Sequence, residues 1–358
     1  MHTKVQFCDP KKISSDIIEK AAQLLKSGVL VAFPTETVYG LGANALDPDA
    51  VAKIFMVKGR PADNPLIVHI SDLTQLKEIV EEIPPLTKLL AEKFWPGPLT
   101  ILLKKKASIP PIVTAGLSTV AVRMPSHPIA RALIQAADLP IAAPSANTSG
   151  RPSPTSAAHV LDDLSGKIPL ILDGGPSQVG LESTVIDVQR ENPLILRPGG
   201  ITLEQLKEII PNIQIYSPEI MPALEDQPPS PGMKYTHYAP KAALFLYKGP
   251  IEEMSNQILM DIQQFLTENH RIGILQLIPH QYYEVMKKKF PFLEIKKLSL
   301  NSNLEEIAAN LFSSLRSFDE LGVEIIFSES INPIGVGLAI MNRLNKAARR
   351  IYDLSPPT

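Results

Sequence analysis

Many of the short apolar segments in the first 200 residues end in a polar motif that contains proline or glycine. The motifs that share this position are, in chain order, Pro34–Leu41, Lys58–His69, Trp95–Pro98, Val122–Pro125, Pro144–Gly150, Glu182–Val185 and Arg197–Gly200. Short apolar runs followed by turn residues are typical of buried strands. A core requires no hydroxyls or cations at these points. We therefore expect the strand ends to converge on one cavity and to form a binding site.

The composition is that of a globular chain, and it narrows the classes of function. The 358 residues are enough for two domains. The formal net charge is −2, whereas domains that bind nucleic acid through their overall charge usually have a large basic excess. A local basic cleft is still compatible with this net charge. Cys8 is the single cysteine, which excludes a disulfide framework and a cysteine-based zinc site.

Neither a membrane span nor a targeting segment is visible in the sequence. No apolar stretch reaches the roughly 18 residues of a membrane span. The first residues, Met1–Lys4, lack the apolar core of a signal peptide. We therefore expect a cytoplasmic protein with no membrane partner.

Helical and strand patterns alternate up to residue 210, which predicts an α/β fold. Asp47 followed by Pro48 is typical of a helix start, and the strands are apolar enough for a sheet that is covered on both faces. Helices are predicted at 13–27, 47–59, 72–81, 85–94, 127–137, 155–164 and 202–210, and strands at 29–33, 66–70, 99–104, 119–124, 139–143, 169–173, 183–188 and 194–197.

Residues 211–241 interrupt the alternation with seven prolines, which indicates an extended linker. Two tyrosines, a histidine and a lysine, Lys234, Tyr235, His237 and Tyr238, are unusual for a solvated tether. We expect this segment to act as a lid over the cavity, with a passive tether as the alternative. The predicted organisation is a catalytic domain at 1–210, a linker or lid at 211–241 and a second domain at 242–358.

From residue 242 the alternation becomes regular again and predicts a smaller parallel α/β sheet. Strands are predicted at 243–247, 272–277, 294–298 and 323–327, and helices at 251–268, 279–289, 303–317 and 336–349. Gly335 and Gly337 open the last helix, but Ile340 stands where a dinucleotide-binding fingerprint requires glycine. A nucleotide site of that type is therefore not predicted here.

Four basic residues of the first domain, Lys58, Arg60, Arg123 and Arg197, lie between apolar segments and are followed closely by proline. At any one position the alternative is an ordinary surface charge. Arg123 lies inside a predicted strand, so its charge is buried and requires an anionic partner. Nucleotide phosphates are one candidate, and the hydroxyls and amides of Pro144–Gly150 are also suited to an anion.

Several common catalytic patterns are absent. Ser145, His69 and Asp173 are present, but the G-x-S-x-G frame of a hydrolase nucleophile is missing. Lys167 follows a glycine without the rest of a Walker A motif. The seven histidines have no metal-ligand spacing, so the sequence identifies no metal ligands, and His69 is either a core residue or a site residue.

The ordered motifs resemble the YrdC/Sua5 family, and the linker together with residues 335–344 resembles its longer, two-domain Sua5 type. The resemblance covers essentially the whole chain. It implies a YrdC-like twisted mixed sheet with a large concave cavity, plus a smaller Rossmann-like parallel α/β domain. It also implies L-threonylcarbamoyladenylate synthase activity, which converts L-threonine, bicarbonate and ATP into threonylcarbamoyl-AMP and pyrophosphate.

The resemblance further implies the site residues. The positions that hold L-threonine are Thr35, Thr37, His69, Arg123, Ala143 and Ser183, with Arg123 at the carboxylate and with the choice between Thr35 and Thr37 left open. The positions around ATP are Lys58, Arg60, Asn64, Thr119, Ser145, Ser153, Arg197 and Tyr238, with Asn147 and His237 as further candidates. Lys58 and Arg60 are the expected catalytic cations.

The expected cofactor is Mg²⁺ bound with ATP, without an organic cofactor. The resemblance implies that a separate tRNA threonylcarbamoyltransferase complex uses the product to modify adenosine 37 of tRNAs, and a weak tRNA contact is left open. Two other classes of function are the alternatives to compare. An RNA-binding factor requires many phosphate contacts, which the near-neutral charge disfavours. A carbamoyl-transfer protein of the hydrogenase-maturation type requires cysteine-rich zinc modules, which one cysteine excludes.

Overall fold

Two compact units divide the chain. The computed structural model describes residues 1–217 and 237–356. The first unit contains residues 1–149 and 153–217, and the second contains residues 150–152 and 237–356. Most of the predicted lid, including Lys234 and Tyr235, lies outside the described residues, so the lid stays a prediction.

A mixed sheet of eleven strands forms the first unit. The strands are β1 (Lys4–Phe7), β2 (Val31–Phe33), β3 (Gly40–Asn44), β4 (Ile67–His69), β5 (Leu99–Lys104), β6 (Thr119–Arg123), β7 (Ile141–Ala142), β8 (Leu170–Asp173), β9 (Thr184–Asp187), β10 (Leu194–Arg197) and β11 (Gln214–Ile215). They lie in the order β1-β8-β2-β3-β7-β4-β6-β5-β9-β10-β11. Strands β2, β4, β9 and β10 are buried along their whole length, as expected for a sheet covered on both faces.

Helices pack on this sheet as the apolar spacing predicts. They are α1 (Ser15–Lys26), α2 (Pro48–Lys58), α3 (Leu73–Ile79), α4 (Pro85–Phe94), α5 (Pro111–Thr114), α6 (Pro128–Ala137), α7 (Ala157–Leu164) and α8 (Leu203–Lys207). The carboxylate of Asp47 caps α2 by accepting from the backbone N–H groups of Asp49 and Ala50. Gly59 ends α2 in the left-handed region, with φ of 61°. The cap and the C-terminal glycine fix the position of Lys58 in the last turn.

In the first unit, strands β1, β3 and β11 are not predicted by the sequence, and in the second unit the strand at Arg350–Asp353 is not predicted either. β3 has the composition of a turn, but it pairs antiparallel with β2. A Cβ atom on Gly42 would lie 2.8 Å from the Phe33 ring, so glycine lets the strand pack there. β11 pairs with β10 and extends the sheet into residues that the sequence assigned to the linker.

The second unit is a five-stranded parallel sheet covered by helices. Its elements are β12 (Ala243–Lys248), α9 (Ile251–Thr267), β13 (Ile272–Gln276), α10 (Gln281–Lys289), β14 (Glu294–Lys297), α11 (Leu304–Glu320), β15 (Ile325–Glu329), α12 (Val336–Ala347) and β16 (Arg350–Asp353). The strand order is β14-β13-β15-β12-β16, and every neighbouring pair is parallel. The predicted fold class, a mixed α/β sheet with a smaller parallel α/β domain, is confirmed. Within the described ranges no helix is both long enough and apolar enough to cross a bilayer.

Candidate functional site

Several predicted site residues lie at one edge of the first unit's sheet. His69 ends β4 and is paired with Arg123, the last residue of the parallel strand β6. Arg123 lies opposite Thr100 near the start of β5. Strand β9 begins beside the start of β5, so Ser183, the residue before β9, reaches the same edge. The ends of four neighbouring strands therefore converge here.

Arg123 is buried with a counter-ion from the protein itself. Its Nη2 donates to Glu36 Oε1 at 2.6 Å, and its Nη1 donates to Thr37 Oγ1 at 2.8 Å. Its Nε donates to the backbone oxygen of Gly97 at 3.3 Å. Glu36 is thus the anionic partner that the sequence argument required for this arginine, and a nucleotide phosphate is not needed in that role. A ligand at Arg123 has to be argued from the remaining N–H groups.

The two threonines of the Pro34–Leu41 motif have different partners. Thr35 Oγ1 donates to the backbone oxygen of Val38 at 2.6 Å, and the backbone N–H groups of Thr37 and Val38 each donate to it at 3.2 Å. This is the local hydroxyl-to-backbone bonding of a turn. Thr37 Oγ1 lies 2.8 Å from Thr35 Oγ1 and accepts from Arg123. Thr35 thus shapes the turn, and Thr37 connects the turn to Arg123.

His69 is a neutral imidazole within the sheet. Burial, together with the positive charge of Arg123, lowers the pKa of His69 to about 3. The ring packs edge-to-face with Phe33, at 6.4 Å between ring centroids. Its Nδ1 has no hydrogen-bond partner among the described residues. An uncharged ring with an unused nitrogen is suited to one hydrogen bond with a ligand.

Lys58 holds the loop that follows β7. Its Nζ donates to the backbone oxygens of Ser145 and Asn147, each at 2.5 Å. Within the loop, Ser145 Oγ donates to Asn147 Oδ1 at 2.5 Å. An open cavity of about 470 Å³ lies beside this contact and is lined in part by Lys58, Thr148 and Lys167. The cation thus fixes a polar loop next to open space.

Arg60 holds the loop between α2 and β4. Its Nε donates to the backbone oxygen of Asn64 at 3.2 Å, and its Nη2 donates to that of Pro65 at 2.9 Å. Asn64 is 2% exposed, and its Nδ2 has no partner within residues 1–217 and 237–356. Because buried amide donors are normally paired, this donor is suited to a ligand acceptor.

Ser183 connects residues that the sequence assigned to two substrates. Arg197, the last residue of β10, donates from Nη2 to the backbone oxygen and to the hydroxyl of Ser183. Ser183 Oγ also lies 2.7 Å from Thr100 Oγ1. Next to Ser183 in the chain, Glu182 accepts from the hydroxyl of Ser153 at 2.5 Å. These bonds tie two predicted ATP-side residues to the segment that carries Ser183.

Ala143 lies beside β4, whereas Thr119 lies away from this cluster. Ala143 follows β7, and its backbone N–H donates to the oxygen of Ile67 at 2.9 Å. Thr119 begins β6, whereas Arg123 ends it. The rise of an extended strand places them roughly 13 Å apart. Thr119 therefore does not join the group around Arg123.

Tyr238 belongs to the second unit. Its ring stacks on Phe312 with the centroids 5.4 Å apart, and the guanidinium of Arg343 lies 5.2 Å from the ring centre. Its φ of 69° lies in the left-handed region, which is uncommon for a bulky residue. The ring of His237 is 5.6 Å from that of Tyr238. The assignment of Tyr238 to ATP stays a prediction.

Sequence reasoning missed Glu36, Thr100 and Glu182. Glu36 is the acidic residue between the two candidate threonines, so the motif itself contained a counter-ion for a buried arginine. Thr100 is a polar residue within the apolar strand β5, which is a signal for a strand end at a site. Glu182 precedes the candidate Ser183 directly and carried no separate signal.

Two family models match the chain. One, which bears the names Sua5, YciO and YrdC and is described as telomere recombination, matches residues 23–199. The other, described as the threonylcarbamoyl-AMP synthase C-terminal domain, matches residues 201–349. The threonylcarbamoyl-AMP synthase of Bacillus subtilis is 49% identical over 348 residues, which is 96% of this chain and 96% of the relative. That of Pyrococcus abyssi is 48% identical over 331 residues, which is 92% of this chain and 94% of the relative.

Solved structures of Sua5 and YciO are also similar to this chain. The crystal structure of Pyrococcus abyssi Sua5 complexed with L-threonine has a TM-score of 0.90 at 46% identity and covers 98% of this chain and 100% of that chain. The crystal structure of Escherichia coli YciO has a TM-score of 0.50 at 24% identity and covers 55% of this chain and 96% of that chain. The second likeness concerns the fold alone.

Proposed function

This chain belongs to the Sua5, YciO and YrdC family, and we propose that it is a threonylcarbamoyl-AMP synthase. Such an enzyme converts L-threonine, bicarbonate and ATP into L-threonylcarbamoyladenylate and pyrophosphate. The observation that carries the proposal is the convergence of His69, Arg123 and Ser183 at one sheet edge. Relatives of that name match the chain over nearly its full length. The enzyme is thus a nucleotidyltransferase that serves tRNA modification.

L-Threonine is proposed to bind at this edge, with its carboxylate on Arg123. Arginine carries about five N–H donors, and three of those on Arg123 are used by Gly97, Thr37 and Glu36. Two further donors, one on each terminal nitrogen, are not used by other residues that the structure describes, and they have the fork geometry that a carboxylate accepts. The other members of the proposed threonine subsite are Thr35, Thr37, His69, Ala143 and Ser183.

ATP is proposed to bind to the cations and polar groups beside this subsite. Lys58 and Arg60 are the proposed catalytic cations, because phosphoryl and nucleotidyl transfers depend on charge neutralisation at the phosphates. Asn64 supports the assignment through its buried amide donor, which has no partner in the part of the chain that the structure describes. The full proposed set is Lys58, Arg60, Asn64, Thr119, Ser145, Ser153, Arg197 and Tyr238.

The chemistry proposed here is positioning rather than covalent catalysis. The amine of threonine attacks the carbon of bicarbonate, and the resulting carbamate oxygen then attacks the α-phosphorus of ATP with pyrophosphate as the leaving group. Neutral His69 and the serine hydroxyls orient the amino acid, and the cations stabilise the phosphate charge. No side chain forms a covalent intermediate with any of the three substrates.

Mg²⁺ is proposed to arrive with ATP, where it would neutralise phosphate oxygens. In the part of the chain that the structure describes, no cluster of three His, Cys, Asp or Glu side chains is arranged to hold a metal ion. We therefore assign the ion to the nucleotide and name no protein ligand. The proposed downstream partner is a tRNA threonylcarbamoyltransferase complex, and the proposed compartment is the cytoplasm.

The direct test is pyrophosphate release from ATP by the purified protein. We expect release only when L-threonine and bicarbonate are both present. Equal release without threonine would indicate a nucleotidase instead. Tight, salt-sensitive retention of tRNA on a filter, without pyrophosphate release, would favour an RNA-binding factor.

A further inference from the structure

One buried carboxylate oxygen lies at the sheet edge where L-threonine is proposed to bind, and it accepts no hydrogen bond from the described residues. Glu36 is 5% exposed, and its Oε1 accepts from Arg123 at 2.6 Å. Its Oε2 has no hydrogen-bond partner among the residues that the structure describes. Burial of an unpaired carboxylate oxygen is unfavourable. We therefore expect a bound ligand to supply a hydrogen-bond donor to Oε2.

We propose that Glu36 accepts a proton from the α-ammonium group of the amino-acid substrate and thereby acts as the base of the first reaction step. The inference rests on the proposed function, because it requires an amino acid whose carboxylate lies on Arg123. Glu36 touches Arg123 directly, so a group bound to one lies beside the other. An α-amino acid carries its ammonium and its carboxylate on the same carbon, which matches this spacing.

Charge balance supports the same ligand. Arg123 and Glu36 together are neutral, so a bound carboxylate alone would leave one buried negative charge. A zwitterion adds one positive and one negative group, each next to an opposite charge of the pair. The protein thus presents a complementary pair of charges to the amino-acid head group, which favours an amino acid over a simple carboxylic acid.

Among the described residues, His127 is a second titratable group beside Glu36, and its imidazole is neutral. His127 lies at the start of α6, where burial lowers the pKa of its ring, and the nearby Glu36 only partly offsets this. Its Nδ1 accepts from the backbone N–H of Ile129 at 3.3 Å, which fixes the ring. The hydroxyls of Thr35 and Thr37 are on the same loop as Glu36 and bond to each other. Arg123 is thus the charged partner identified for Glu36.

The step balances without any further reactant. An N–H bond of the α-ammonium breaks, an O–H bond forms on Glu36 Oε2, and the electron pair remains on nitrogen. The neutral amine then attacks bicarbonate, which gives the N-carboxylate and water. Glu36 returns its proton to solvent before the next turnover. An amine that stays protonated cannot attack, so the base controls formation of the carbamate but not the later transfer to phosphorus.

The test is to compare the two half-reactions in Glu36→Gln. The variant keeps an acceptor oxygen for Arg123 but no longer takes up a proton. Threonine- and bicarbonate-dependent pyrophosphate release should fall by about 100-fold or more, which is the usual contribution of a general base. Formation of ATP from threonylcarbamoyl-AMP and pyrophosphate should stay within about threefold of wild type, because it requires no proton transfer from nitrogen.

The pH profile gives a second readout. Forward activity of Glu36→Gln should rise roughly tenfold per pH unit below the pKa of the free amine, because solution then supplies the neutral form. Glu36→Asp keeps the charge balance of Arg123 and should retain both half-reactions without this steep rise. Glu208→Gln, which removes an exposed carboxylate paired with Lys93, is the matched control and should behave as wild type.

Parallel loss of both half-reactions in Glu36→Gln, with an unchanged pH profile, would overturn the proposal and reduce Glu36 to the counter-ion of Arg123. If Glu36→Gln does not fold, the same comparison in Glu36→Asp decides: equal loss in both directions contradicts a base. A wild-type protein that catalyses neither half-reaction would instead remove the proposed function itself.

Discussion

Arg197 donates two hydrogen bonds from one nitrogen to Ser183, to the backbone oxygen at 2.9 Å and to the hydroxyl at 3.2 Å. The two residues are candidates for different substrates, ATP for Arg197 and L-threonine for Ser183. Their contact predicts that the two binding sites are coupled through this pair. Arg197→Ala should therefore raise KM for both substrates, by about tenfold each, since hydrogen bonds to charged groups contribute about 1.5–3 kcal/mol.

Steady-state kinetics with each substrate varied in turn measure this coupling. The matched comparison is Arg60→Ala, because Arg60 is a proposed ATP-side residue that donates to the backbone oxygens of Asn64 and Pro65. That variant should raise KM for ATP and leave KM for threonine near the wild-type value. A change confined to ATP in Arg197→Ala would show that the bond to Ser183 does not affect threonine.

Removal of Arg123 should abolish threonine binding and lower stability together. In Arg123→Ala the carboxylate of Glu36 stays buried without its partner, and truncation of one side of a buried charge pair typically costs about 2–5 kcal/mol. The double variant Arg123→Ala with Glu36→Ala should recover part of the stability but none of the binding. Calorimetric titration with threonine and urea unfolding measure the two effects, and normal threonine binding by Arg123→Ala would contradict the placement of the carboxylate.

His69 should make the first unit less stable in mild acid. Its pKa is about 3 in the folded protein against 6.5 ordinarily, so between these values the unfolded chain binds a proton that the folded chain does not. The contribution of neutral, buried His69 to the free energy of unfolding is complete above pH 6.5. It is lost as the pH falls toward 3, by about 1.4 kcal/mol per pH unit.

His69→Gln removes this contribution. Between about pH 7 and pH 5, the free energy of unfolding of wild type should fall by on the order of 2 kcal/mol more than that of the variant. The contribution of His127 is common to both proteins and cancels. Trp95, the only tryptophan, lies in the same unit and reports its urea unfolding by fluorescence. Equal losses in the two proteins would show that His69 is protonated in the folded state.

Glu329 should be a main determinant of stability in the second unit. Its fully buried carboxylate accepts from the backbone N–H groups of Leu277 and Ile278 and from the hydroxyl of Tyr283. Burial raises its pKa, and these three bonds partly offset the effect. Glu329→Ala leaves two buried donors and one partly buried donor unpaired and should reduce stability by on the order of 3 kcal/mol or more.

Amide hydrogen exchange of β13 and β15 measures this effect locally. Glu320→Ala is the control, because that exposed carboxylate lies in the last turn of α11, and surface changes usually stay within about 0.5 kcal/mol. Similar protection in Glu329→Ala and Glu320→Ala would contradict the account of the buried carboxylate.

The sequence predicted those elements whose side chains repeat with a clear period. Asp47, Pro48 and Gly59 set the ends of α2, and the apolar runs at 99–104 and 194–197 became β5 and β10. It failed at β3, because Gly40–Asn44 reads as a turn and becomes a strand only by pairing with β2. Local patterns contain no information about such a partner.

The candidate site shows the same division. The motifs identified Arg123 and His69, and the strand ends that carry them do converge. The bond from Arg123 to Glu36 joins residues 87 positions apart in the chain, and no local pattern contained it. The sequence therefore predicted an anionic partner for the buried arginine and offered a nucleotide phosphate as one candidate, whereas the partner in the structure is Glu36.

The most direct test of the proposed function is product analysis with labelled bicarbonate. Purified protein would be incubated with ATP, Mg²⁺, L-threonine and ¹³C-bicarbonate. The nucleotides would then be separated by chromatography and their masses measured by mass spectrometry. We predict threonylcarbamoyl-AMP that carries the heavy carbon, in an amount equal to the pyrophosphate released, and no such product when threonine is omitted. Release of pyrophosphate with AMP but without a labelled adenylate, under conditions in which the adenylate is stable, would contradict the proposed function.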